Sequence, residues 1–322
     1  RRGGNRGVST KLTPMVQQYL KIKEEYQDAI LFFRLGDFYE MFFEDAKIAS
    51  KELEIVLTSR DSGESKIPMC GVPYHSATNY IAKLIARGFK VAICEQVEDP
   101  KAAKGIVKRE VVQIITPGTV LENSMLDETS NNYLAAIFDL DQVVGLAYID
   151  VSTGDFWVTE FHDNESQNKL DSEIQRIKPS ECLIPNWSTF KGDWESSLLT
   201  FQNTAITYMD DANFTLDEAR KVLVDNYQIT SLEAFGLENY SAGLCAAALI
   251  INFLSNTQKM ALKHLKRVRP YSTNIYLEMD YSTRKNLELT STLRDGKREG
   301  SLLSILDYCA TAMGKRALKS WI

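Results

Sequence analysis

The tightest constraint on how this chain folds lies between Ile30 and Leu53. Ile30-Leu-Phe-Phe33 is an apolar run of strand length, cut off shortly afterwards by Gly36-Asp37. Beyond the break, Tyr39, Phe42, Ala46, Ala49 and Leu53 recur at i, i+3, i+7, i+10 and i+14. That spacing predicts a helix beginning directly after Gly36-Asp37, with one apolar stripe turned to a core. At about 100° per residue, Phe38 falls roughly 50° from the middle of the stripe and Glu40 about 150° from it. The expectation is Tyr39 inside, Phe38 on the margin and Glu40 outside, all on the first turn of a helix.

The surrounding sequence continues the alternation. Thr13-Pro14 opens a helix through Ile22, with Thr13 as N-cap and Pro14 at the first helical position. Leu53 to Ser59 reads as a strand, Arg60 to Lys66 as a polar loop, and Ile67 to Tyr74, punctuated by Gly71 and Pro73, as an irregular segment. A helix over Thr78–Arg87 ends at Gly88, and Lys90–Glu95 and Glu110–Thr116 are strands around the loop Asp99–Lys108. These elements make a mixed α/β domain over residues 11–121, preceded by a basic Gly-rich arm, 1–10, that is disordered or a non-native extension.

A polar linker is expected over 122–132. Tyr133–Asp139, Val143–Val151 and Asp155–Phe161 then read as three strands joined by short turns, an antiparallel meander. A helix to Ile177, a strand at Cys182–Ile184 and helices at Thr215–Gln228 and Ser241–Thr257 complete a second domain over 133–262. Strands in that order, followed by helices and a parallel strand, are those of an RNase H-like fold. Residues 263–322 carry a basic run, an alternation at Ile275–Met279 and helices near Asp280–Thr283 and from Leu302 onward. They read as the start of a third, helical domain that is truncated. At 322 residues, a multidomain α/β chain is expected.

Charge is distributed unevenly. Residues 1–122 hold 18 Lys+Arg against 16 Asp+Glu, and residues 263–322 hold 12 against 6. The stretch between them holds 7 against 21, a net charge of −14, so any contact with phosphate belongs to the flanks. Five scattered cysteines give no disulfide framework, and three histidines without Cys-x-x-Cys give no zinc pattern. No apolar run approaches the roughly 18 residues needed to span a bilayer, and no signal peptide is visible, so a reducing cytoplasm fits and no membrane partner is expected.

Taken as residues alone, Phe38 and Glu40 have two readings. Phe38 packs at a core edge and Glu40 favours the positive end of a helix dipole, or an exposed aromatic and a carboxylate form a recognition pair. Gly36-Asp37-Phe38-Tyr39-Glu40 also resembles the Phe-x-Glu mismatch-reading motif of the MutS family of DNA mismatch repair proteins. The resemblance continues through Ile67-Pro-Met-Cys-Gly-Val-Pro-Tyr-His75, Ala92-Ile-Cys-Glu-Gln96, Ile115-Thr-Pro-Gly-Thr119, Met279-Asp-Tyr-Ser-Thr-Arg-Lys-Asn-Leu-Glu288 and Met313-Gly-Lys-Arg316. It implies a mismatch-binding domain, an RNase H-like connector and the beginning of a lever or core domain.

It further implies that Phe38 stacks on a mispaired base from the minor groove and that Glu40 hydrogen-bonds it. The partner would be double-stranded DNA with mispairs or small insertion/deletion loops. Leu35, Gly36, Arg60, Met69, Gly71, Lys104 and Lys108 are secondary candidates for DNA contact. Arg34, Lys66, Lys101 and Arg109 complete the basic inventory of this region. The resemblance also implies a MutL-type partner on the connector and a homodimer in the full-length form.

Asp139, Asp150 and Asp155 offer a rival reading as metal-holding carboxylates of a nuclease, but an Asp before Ser-Thr-Gly is more often a turn former. Nothing here reads Gly-x-x-x-x-Gly-Lys-Ser/Thr. The expectation is therefore no catalysis and no cofactor in this chain, with ATP and Mg²⁺ belonging to a C-terminal ATPase domain of the family.

Overall fold

The computed structural model describes residues 13–61, 66–98, 105–122, 125, 129–162, 166–186, 204–210, 215–258, 265–273, 279 and 281–322. The arm 1–10, the loop carrying Lys101 and Lys104, and most of the Ile275–Met279 alternation lie outside them. The chain divides into two compact units: residues 1–116 with 257–259, and residues 117–256 with 260–322.

The first unit is built on a mixed six-stranded sheet. Its strands are β1 (Ala29–Leu35), β2 (Phe38–Phe42), β3 (Thr58–Asp61), β4 (Lys66–Pro73), β5 (Lys90–Gln96) and β6 (Arg109–Ile115), in the order β3-β4-β2-β1-β5-β6. Only β1 and β5 run parallel. Helix α1 (Pro14–Glu25) packs on one face, against Leu31, Phe33, Phe42, Ile67, Cys94 and Val111. Helices α2 (Phe43–Leu53) and α3 (Ala77–Ala86) lie against the other, whose buried residues include Phe32, Met41, Cys70 and Val72. Pro14 opens α1 as the sequence predicts, but Thr13 makes no side-chain capping bond.

Three readings of this unit need correction. Phe38 to Phe42 is a strand, and the helix begins only at Phe43. Gly36, at φ +58°, turns the chain back so that β2 pairs with β1, and the aromatic, strand-favouring run Phe-Tyr-Glu-Met-Phe extends that hairpin. The supposed helical stripe is thus split: Tyr39 and Phe42 are buried on opposite sheet faces, and only Ala46, Ala49 and Leu53 form a helical stripe. Leu53 ends α2 instead of opening a strand, because Glu54 takes the left-handed conformation that closes the helix. Ile67 to Pro73 is a regular strand despite its glycine and prolines, its first half paired with β3 and its second with β2.

The second unit carries another six-stranded sheet. β7 (Tyr133–Leu140), β8 (Val143–Asp150) and β9 (Asp155–Phe161) form the predicted meander, with Asp141 and Gln142 at positive φ in the first turn. β10 (Glu181–Pro185) runs parallel to β7, and β11 (Ala205–Met209) parallel to β10. The order β9-β8-β7-β10-β11 is the RNase H-like arrangement. A strand the sequence reading missed, β12 (Val268–Pro270), pairs with β9 and carries the sheet past the expected boundary at 262.

Helices α4 (Ser166–Ile177), α5 (Leu216–Tyr227) and α6 (Ala242–Gln258) complete the layers. Thr215 and Glu218 form a reciprocal capping box on α5. The almost wholly apolar α6 sits so close to β8 that a Cβ at Gly145 would lie 2.2 Å from Ala242 C. Its first turn is held by Glu160 Oε1, which accepts from Ser241 N at 2.5 Å and Gly243 N at 2.7 Å. Beyond β12 come α7 (Tyr281–Asn286), α8 (Leu302–Leu306) and α9 (Ala312–Trp321). The single helix expected from Leu302 is therefore two, α9 restarting on a Thr311 N-cap. Among the described residues no helix is long and apolar enough to cross a membrane.

Candidate nucleic-acid interface

Strand alternation decides what the β1–β2 hairpin presents. Phe38, Glu40 and Phe42 share one face of β2, and their partners on β4 are Pro73, Gly71 and Met69. On β1 the matching residues are Leu35, opposite Phe38, and Phe33, opposite Glu40. This is the face on which α1 sits, and α1 covers only part of it. Phe33 and Phe42 lie beneath it, fully buried. Toward the turn the face is open: Phe38 is 46% exposed, Gly36 is exposed, and Leu35, Gly71 and Pro73 are half-buried. An aromatic with nearly half its surface in water, at the tip of a two-strand hairpin, is a ring held out by its backbone.

The backbone beneath it is braced. Tyr74 N donates to Asp37 O at 2.9 Å, tying the turn to the end of β4, and Arg34 Nε donates to Gly36 O at 2.5 Å. On the opposite face Tyr39 is buried and its hydroxyl donates to Glu95, which also pairs with Arg34 at 3.4 Å. Burial first, then the Glu95 bond, raises the Tyr39 phenol well above its ordinary value, so it remains a donor. The Arg34 guanidinium stacks 3.8 Å above the Tyr74 ring. Arg109 is a structural residue: it is buried, donates to Arg34 O at 2.7 Å and Gln18 Oε1 at 3.0 Å, and lies over the Phe33 ring.

The predicted site residues therefore separate. Phe38, Glu40, Leu35, Gly36, Met69, Gly71 and Arg60 gather on the open face of β1–β4 or at its turn. Arg60 reaches Glu40 and forms an ion pair with it, which no local sequence signal foretells. Lys108 stands apart, at the start of the far edge strand β6, exposed and paired with Glu110 at 2.6 Å. Lys104 lies outside the described residues. Arg34 and Tyr74 at the hairpin were missed as a supporting pair; their contact spans two strands and leaves no periodic trace.

In the second unit Asp150 behaves as a turn former and Asp155 as an ion-pair partner. Asp150 is fully buried; its Oδ1 accepts from Ser152 N at 3.0 Å and Ser152 Oγ at 2.6 Å, and its Oδ2 from Asn131 Nδ2 at 2.9 Å. Asp155 pairs with Lys266 at 3.0 Å and accepts from Thr153 Oγ1 at 3.0 Å. Both carboxylates are committed to the chain around them.

Three family models match in sequence order: MutS domain I over residues 13–124, MutS domain II over 132–266 and MutS domain III over 282–322. The chain is 60% identical over 311 residues to the DNA mismatch repair protein MutS of Syntrophomonas wolfei, an alignment covering 96% of this chain and 36% of that protein. It is 50% identical to the MutS of Lachnoclostridium phytofermentans, covering 97% and 33%, and 49% identical to that of Halothermothrix orenii, covering 97% and 35%. The chain thus spans about a third of the length of these curated relatives. A fowlpox virus Holliday-junction resolvase superposes on 38% of the chain with a TM-score of 0.29 and 9% identity, a likeness that carries no argument.

Proposed function

The chain belongs to the MutS family, and on that premise we propose that its first unit recognises mispaired DNA through the open face of β1–β4. The observation that carries this reading is the exposure of Phe38 at the hairpin tip, two residues along one strand face from Glu40. An apolar wedge entering a base step from the minor groove partly unstacks and kinks the duplex, at a cost of a few kcal/mol. A mispaired step is already poorly stacked, so the same distortion costs less there, and selection arises from deformability. Glu40 adds a check: its carboxylate repels the phosphates of any duplex and regains that loss only where a mispair exposes a hydrogen-bond donor.

The small side of the face fits close approach. Gly36 and Gly71 leave backbone where a larger side chain would stand between protein and groove. The second unit, with its net acidic sequence, is suited to protein contact, and we assign it the docking of a MutL-type partner. Homodimerisation, ATP and Mg²⁺ are assigned to the portion of the relatives' length that this chain does not span. No stretch here has the phosphate-cradling Gly-x-x-x-x-Gly-Lys-Ser/Thr pattern, so no step of this mechanism runs through a nucleotide.

The test is equilibrium binding of the full-length protein to otherwise identical duplexes with and without one mispair, repeated with Phe38→Ala. Preference for the mispaired duplex that disappears in Phe38→Ala is expected. A preference that survives in Phe38→Ala overturns the reading.

A further inference from the structure

Arg60 and Glu40 stand on β3 and β2 with β4 between them, on the open face of the sheet. They meet in an ion pair from Arg60 Nη1 to Glu40 Oε2. On the intervening strand Gly71 lies opposite Glu40 and Ile67 opposite Arg60, so the two side chains meet diagonally across β4. The Glu40 side chain is 17% exposed and that of Arg60 40%. Glu40 is therefore the more buried member of the pair and Arg60 the more exposed.

Resting on the reading of this face as a DNA surface, we propose that Arg60 is a positioning residue that neutralises Glu40 in the free protein and exchanges it for a backbone phosphate when a duplex docks. A part-exposed ion pair is weak. A phosphate offers the same planar fork a bidentate, charge-assisted partner, so the exchange is favoured once DNA is near. Its consequence falls on Glu40. Stripped of its counter-ion beside a matched duplex, the carboxylate has no donor to replace the one it lost. Beside a mispair it has one. Arg60 thereby makes the repulsion of Glu40 conditional on docking, so that the protein approaches DNA without it and discriminates with it. Arg60 as an independent phosphate contact would leave Glu40 equally charged in both states.

The two arrangements differ in a double-mutant cycle on matched duplex, measured with the full-length protein at fixed salt. Glu40→Gln removes both the repulsion and the need to break the pair, so it strengthens matched-duplex binding. In an Arg60→Gln background only the repulsion remains to be removed. The strengthening by Glu40→Gln is expected to be larger with Arg60 present by a factor of roughly three or more, as residues in contact couple. Arg60→Lys, which keeps the charge, is expected to retain the sign of the coupling. Factors that multiply independently, or coupling of the opposite sign, overturn the inference. Phe38→Ala measured alongside separates the two failures: if it leaves mispair preference intact, the reading of the face fails; if it abolishes preference while the cycle shows no coupling, the role of Arg60 alone fails.

Discussion

Truncating Phe38 should separate function from stability, and the structure sets how far apart the two effects lie. A Phe side chain moved fully out of water contributes roughly 1.5–3 kcal/mol. Phe38 is 46% exposed, so about half of that transfer, roughly 0.8–1.5 kcal/mol, is lost in Phe38→Ala, and solvent fills the vacated space without leaving a cavity. Phe33, on the same sheet face and opposite Glu40, is 0% exposed beneath α1, and Phe33→Ala should cost about 3–5 kcal/mol. Stacking of an aromatic on a base is worth roughly 1–3 kcal/mol. Phe38→Ala should therefore weaken binding to mispaired duplex by about 5- to 150-fold while matched binding changes little. Urea unfolding followed by circular dichroism supplies the stability, and fluorescence anisotropy with labelled duplexes supplies the affinities. Phe38→Ala destabilising as much as Phe33→Ala would show that the ring is core, and the exposure argument would fall.

Other consequences can be checked independently. Gly145→Ala places a Cβ 2.2 Å from Ala242 C and 2.3 Å from Gly243 N, both backbone, so α6 must retreat by about 1 Å and strain the Glu160 bonds to its first turn. A loss of about 3 kcal/mol or more is expected in urea unfolding, and under about 1 kcal/mol would contradict the packing. Gly118→Ala should cost less, because its nearest obstacles at 2.8 and 2.9 Å are side-chain atoms of Leu134 and Glu181. Asp150→Asn turns an amide donor toward Ser152 or Asn131 and should cost roughly 1–3 kcal/mol. Mg²⁺-dependent DNA cleavage by the parent chain, lost in this variant, would reinstate the nuclease reading.

Much of the fold was legible because each apolar run matched a single periodicity. The β7–β9 meander, the helix α5 and the apolar α6 were readable to within a residue or so. Phe38–Phe42 was misread because a strand leading straight into a helix keeps an apolar sequence continuous while the buried direction changes. Tyr39 and Phe42, three apart, fit one helical stripe and equally fit two faces of a strand. Burial of Tyr39 came out right under either reading, whereas burial of Met41 did not follow from the helical one. β12 escaped because its partner β9 lies far upstream and a three-residue strand has no pattern of its own. The Arg60–Glu40 pair was invisible for the same reason: it exists only through the register of β4.

That Phe38 and Glu40 sit on a strand has a metric consequence. A strand advances about 3.4 Å per residue, so two side chains on the same face stand about 6.8 Å apart. A helix would have turned these two residues away from each other. Adding one residue between them would turn Glu40 to the α2 side of the sheet, and adding two would keep its face but carry it about 6.8 Å farther from Phe38. The spacing Phe-x-Glu is thus a length as well as a motif.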